Sequence, residues 1–147
     1  NSTGARSPST ARATRNAHRQ IAAWLAEQPQ VERVMCPMLS GDPGHALWQR
    51  DFTGGCGLFG FTLASDDPAA SGRIADALDL FGLGYSWGGF ESLALPIFPH
   101  DYRAVMGSPT KAAGGDIRPA LRLSIGLEDP EDLIADLAQA LAGMETR

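Results

Sequence analysis

An α+β fold, with a mixed or antiparallel sheet and helices packed on one face, is predicted by three features of this sequence. The apolar periodicity runs helix, strand, helix, strand, helix, strands, helix, which suits layered α+β architecture rather than a strict βαβ alternation. Several strand candidates follow one another across modest loops, too short for the crossovers that an all-parallel sheet needs. The strongest strand candidate alternates large apolar with small or polar residues, so one of its faces needs cover. The 147 residues suit a single domain that folds around its own core without disulfides or metal.

The elements follow in order. Residues 1–16 are rich in Ser, Thr, Ala and Arg and contain no acid. That composition suits a linker or disordered segment, and it also resembles an organellar transit peptide. The chain begins at Asn1, which suggests a piece of a longer protein. From Ala17 to Gln28 the residues Ile21, Trp24, Leu25 and Gln28 share a helical face, and Pro29 closes the helix. Val31 to Cys36 reads as a short strand stopped by Pro37, Gly44 to Arg50 as a short helix, and Gly57 to Leu63 as a strand with Phe59, Phe61 and Leu63 on one side. Asp67 and Pro68 mark the start of a helix whose stripe is Ile74, Leu78 and Phe81, ended by Gly82 and Gly84. Leu83 to Trp87 and Leu93 to Phe98 are strand candidates, and 106–117 is a glycine-rich loop. Ala120 to Leu127 is the clearest strand. Asp129 caps a final helix with Pro130 in its first turn and Leu133, Leu137 and Leu141 along one face, supported by Ile134 and Ala138.

Charge and composition narrow the functions. A net charge of −5 argues against a nucleic-acid or anionic-membrane surface. No apolar run approaches the roughly 20 residues of a membrane helix. Cys36 and Cys56 lack the spacing of a zinc knuckle or a redox pair and read as reduced thiols of a cytosolic protein. His18, His45 and His100 form no ligand pair, so no metal site is expected. Gly54-Gly55-Cys56-Gly57 leads into a strand, whereas a dinucleotide fingerprint leads into a helix. Glu131 and Asp132 fit helix capping better than acid–base work. Lys111 is the only lysine and sits in the glycine-rich loop, where a solvated surface lysine suits the setting better than a Schiff-base lysine.

Two segments can carry binding chemistry. On the strand 120–127, Leu121, Leu123, Ile125 and Leu127 point toward the helices, while Ala120, Arg122, Ser124 and Gly126 point away. Arg122 among small residues has room to grip a carboxylate through two parallel hydrogen bonds. The same pattern fits an arginine in a surface salt bridge on a solvated face. Gly84 to Leu93 gathers Tyr85, Ser86, Trp87 and paired glycines, and its amides can turn toward an anion. A tight turn with a core tryptophan fits that composition as well.

Several blocks, in order, resemble the small domain of cystathionine β-lyases, of the Cys/Met-metabolism (trans-sulfuration) family that uses pyridoxal phosphate (PLP). Trp24 through Val34 resembles the family's helix-to-strand entry. Gly44-His45, Trp48 through Gly54 and Gly57-Leu58-Phe59 are similar to its next blocks. Tyr85-Ser86-Trp87-Gly88-Gly89-Phe90-Glu91-Ser92-Leu93 resembles its substrate-side motif. Ile117-Arg118 and Leu121-Arg122-Leu123-Ser124-Ile125-Gly126-Leu127-Glu128-Asp129 resemble its carboxylate-binding strand. The resemblance runs from about residue 17 to the end and implies the C-terminal domain of a fold-type I PLP enzyme, residues 17–147. It implies that Arg122 binds the substrate α-carboxylate and that Ser86, Trp87 and Tyr85 line the substrate site. It further implies that PLP and the catalytic lysine belong to a large domain absent from this chain, so the fragment alone is inactive. Trp87, where more distant relatives carry Leu, points to β-cleavage of cystathionine to homocysteine, pyruvate and ammonia. A γ-synthase, a γ-lyase or a free-standing binding module are the alternatives. The expected setting is a cytoplasmic homo-oligomer such as a homotetramer, with a small amino acid as substrate and no nucleic-acid or membrane partner.

Overall fold

The computed structural model describes residues 8–97 and 118–144, with the backbone alone for 8–15. Phe98, His100, Lys111 and the predicted glycine-rich loop lie outside the described residues. The elements are α1 (Pro8–Ala26), β1 (Val31–Met35), α2 (His45–Asp51), β2 (Leu58–Leu63), α3 (Ala70–Ala77), β3 (Gly82–Leu83), β4 (Leu93–Ile97), β5 (Ala120–Ser124) and a last helix, α4 (Pro130–Ala142). Their order follows the predicted one.

The sheet runs β1-β2-β5-β4-β3. All neighbours pair antiparallel except β3, which lies parallel to β4 at the edge. Helices α1, α3 and α4 cover one face, with α4 packed between the other two. Phe59, Phe61 and Leu63 of β2 and Leu121 and Leu123 of β5 meet Ile21, Leu25, Ile74, Leu133, Leu137 and Leu141 in one core. The α+β fold with one helical face is thus the fold of this chain. The short helix α2 buries no residue.

Several boundaries differ from expectation. Helix α1 begins at Pro8 rather than Ala17, so residues 8–16, expected to be linker or disordered, belong to it. Ala and Arg are strong helix formers, and without large apolar residues they show no amphipathic stripe. Helix α3 ends at Ala77. Leu78 is already extended, yet Leu78 and Phe81 are both buried, so the apolar stripe continues into non-helical chain. Asp67 acts one turn early, its Oδ1 accepting from the amide of Ala69 at 2.9 Å. Ala138 faces solvent, and Ala140 takes the inward position.

The expected strand from Leu83 to Trp87 shrinks to Gly82–Leu83, because the chain then leaves β4 and crosses toward the end of β5. Strand β5 stops at Ser124, short of Leu127. The amide of Ile125 turns to the carbonyl of Gly57 at 2.8 Å and that of Leu127 to Phe90 at 2.8 Å. Leu127 is consequently half exposed rather than inward.

Candidate functional site

Arg122 stands at the middle of β5, on the face away from the helices, with Gly60 of β2 and Leu95 of β4 directly opposite it. Its Nη2 donates to the carbonyl of Tyr85 at 2.6 Å and to that of Ser86 at 3.2 Å. Its Nε is buried with no hydrogen-bond partner among the described residues. Nor does any carboxylate among them pair with it. Neutral carbonyls fix the pose of a guanidinium but leave its charge uncompensated. The salt-bridge alternative therefore has no partner in the described structure. What remains is a held cation with donor capacity to spare, suited to an anion of carboxylate geometry.

The segment after β3 lies over this arginine. Ser86 contributes its main-chain carbonyl, and its side chain is exposed. Tyr85 and Trp87 are 71% and 62% exposed, and Phe90 is 74% exposed, so the core-tryptophan alternative fails. Gly88 has φ +74°, in the left-handed region that favours glycine, just past the expected strand Leu83–Trp87. The Gly88 amide donates to Ser124 Oγ at 3.1 Å. Ser124 follows Arg122 by two residues and shares its strand face, so alternation alone placed it beside the arginine.

A second set of bonds ties the end of this segment to the chain leaving β5. Glu128 accepts from the Ser92 amide through Oε1 and from the Ser92 hydroxyl through Oε2, each at 2.7 Å. The Ser92 hydroxyl in turn accepts from the amide of Gly126 at 2.9 Å. A Cβ at Gly126 would collide with the Phe90 carbonyl oxygen and with Glu128 Oε2. Sequence reasoning assigned no role to Ser92 or Glu128. They are far apart in the chain, and no local pattern pairs them.

A separate concavity of about 800 Å³ is lined by His18, Cys36, Trp48, Phe52, Cys56 and Leu58 among others, and shares no residue with the Arg122 site. His18 Nε2 lies 3.1 Å from Cys36 Sγ, and its ring packs on Phe59. Burial pushes the His18 imidazolium down and the Cys36 thiol up, with backbone hydrogen bonds from Met38 and Leu39 partly opposing the latter. Both groups are therefore held neutral, the opposite of a thiolate–imidazolium nucleophile. Among the described residues no three His, Cys, Asp or Glu side chains converge on a metal position, and no helix is long and apolar enough to cross a membrane. The mostly apolar concavity is lined by no acidic residue, lysine or arginine, so Arg122 is the candidate for binding an anion.

Comparison with known proteins agrees with the resemblance seen in the sequence. Cystathionine beta-lyase of Salmonella typhimurium is 47% identical over 125 residues, covering 84% of this chain and 31% of that protein. Cystathionine gamma-lyase of Rattus norvegicus is 39% identical over 123 residues, covering 82% of this chain and 30% of that protein. Among solved structures, a Campylobacter jejuni protein assigned as an O-acetylhomoserine (thiol)-lyase, crystallised with a pyridoxyl-lysine monophosphate, superposes with a TM-score of 0.74 at 28% identity over 92% of this chain and 29% of that one. The chain thus spans about 30% of the length of these relatives. The sequence profile of one family matches residues 9–142, nearly all of the described fold, and this chain belongs to that family, the Cys/Met metabolism PLP-dependent enzymes.

Proposed function

We propose that this chain is the C-terminal, substrate-binding domain of a PLP-dependent carbon–sulfur lyase that cleaves cystathionine with water to homocysteine, pyruvate and ammonia. The observation that carries the reading is Arg122, held by the carbonyls of Tyr85 and Ser86 and lacking any acidic partner among the described residues. In this reading Arg122 anchors the substrate α-carboxylate. Ser86 orients the guanidinium through its carbonyl, and exposed Tyr85 and Trp87 wall the substrate position. The cofactor when bound supplies the electron sink for C–S cleavage. The described residues include no lysine and offer no amine to hold it. They do not fit the cofactor itself, and their part is binding and orientation.

The test is Arg122→Ala in the intact enzyme that carries this chain. The kcat/KM for cystathionine is expected to fall on the order of 100-fold, about 3 kcal/mol for a partly buried charge-assisted contact. An unchanged kcat/KM refutes the anchor. Product analysis decides the position of cleavage: pyruvate supports β-cleavage, and 2-oxobutyrate supports the γ-reading that the rat relative keeps open. The intact enzyme is proposed to act as a cytoplasmic homo-oligomer, which sedimentation tests, a monomer contradicting it.

A further inference from the structure

We propose that Ser92 and Glu128 are a positioning pair that sets the spacing between the 85–88 segment and Arg122, and thereby the affinity for the substrate's carboxylate; this rests on the reading of Arg122 as the anchor. Apolar packing does not hold the segment in place, because Tyr85, Trp87 and Phe90 are all largely exposed. It is held by hydrogen bonds. Two of these come from Arg122 itself, and a bound carboxylate competes for the same guanidinium. A third, from Gly88 to Ser124, holds the middle of the segment.

A further hold that does not use the Arg122 guanidinium is the ring of Ser92, Glu128 and Gly126. One carboxylate takes both the amide and the hydroxyl of Ser92, and that hydroxyl takes the Gly126 amide. Ser92 is 1% exposed and Glu128 is half-buried, so the Ser92 end of these bonds is shielded from water. The ring fixes the exit of the segment to the exit of β5, four residues past Ser124 at Glu128. With that end fixed, the carbonyls of Tyr85 and Ser86 stay at one distance from Arg122, and the guanidinium meets substrate already oriented.

The test uses the intact enzyme with two competitors of cystathionine turnover: L-norleucine, and pentylamine, which is the same skeleton without the carboxylate. Glu128→Gln keeps the volume but removes the carboxylate's charge and replaces one acceptor with a donor, so the charge-assisted bond donated by the Ser92 hydroxyl is lost. The inhibition constant of norleucine is expected to rise about tenfold and that of pentylamine to change less than twofold. Ser92→Ala, which removes the hydroxyl that Gly126 and Glu128 share, is expected to do the same. Equal losses for both competitors, or none for either, overturn the pair as a positioning device, as does failure of both variants to fold. Arg122→Ala separates the two claims. If it leaves the norleucine preference intact, the anchor reading fails. If it abolishes the preference while Glu128→Gln and Ser92→Ala do not, the anchor stands and the positioning pair falls.

Discussion

Gly126 shows how closely the chain is packed where the site is built. A Cβ added there would meet the Phe90 carbonyl and the Glu128 carboxylate, so any side chain must push apart the segment and the strand exit. Gly126→Ala is expected to destabilise the protein by about 1–3 kcal/mol, the usual cost of overpacking a site that cannot relax. Gly88 has a different reason to be glycine. Nothing lies within 4 Å of its missing Cβ, and only the positive φ constrains it. Gly88→Ala is therefore expected to cost only about 1 kcal/mol. Urea titrations of the two variants check the ordering, and a larger loss at Gly88 would contradict it.

Helix α4 joins packing to polar organisation. Leu133, Leu137 and Leu141 are buried as their spacing predicts, and Asp129 caps the helix by accepting from the Glu131 amide at 2.8 Å. Asp136 is the exception on this face. Between core leucines it is 6% exposed, and its two oxygens accept from the amides of Asp79 at 2.9 Å and Leu80 at 2.8 Å. These bonds secure the chain between α3 and β3, just ahead of the site segment. Asp136→Ala strands two backbone donors, so a loss of about 2–4 kcal/mol is expected in urea unfolding. A change below about 0.5 kcal/mol, the range of ordinary surface substitutions, would contradict that role.

The layered arrangement divides labour between the two sheet faces. The helical face holds the core, and the other face carries Arg122 and the segment above it. His18 joins α1 to the sheet through Cys36 and Phe59. Because burial lowers its pKa in the folded state, the unfolded chain binds the extra proton more readily. Stability then holds above the ordinary histidine value of about 6.5 and declines as pH falls through the window below it. His18→Gln is expected to flatten that acid-side decline in unfolding free energies measured at pH 5 and pH 7.5. An unchanged pH slope would remove His18 as its source.

Much of this was legible in the residues. The stripes Ile21–Leu25 and Leu133–Leu137–Leu141, the alternation Phe59–Phe61–Leu63 and the cap at Asp129 all lie in local patterns, and each corresponds to an observed element. Arg122 stood out as the candidate because alternation set it among small residues, and the blocks around it resembled a known family. The less legible features arise where the chain departs from periodicity. The helix over 8–16 carries no apolar stripe, the strand expected to continue past Leu83 ends there as the chain leaves β4, and Leu127 leaves the ladder for a bond to Phe90.

Local patterning, then, was enough to specify the one-sided α+β layer and the face on which Arg122 stands, while the family was indicated by the resemblance of ordered sequence blocks and shown by the match over residues 9–142. Apolar burial and capping act over a turn or a strand pair, so spacing records them. The tertiary structure alone decided what Arg122 touches, since its acceptors at 85 and 86 and the ring of Ser92, Glu128 and Gly126 join segments more than thirty residues apart. Such pairings depend on where separate chain segments end relative to one another in space, and no periodicity within a segment encodes that.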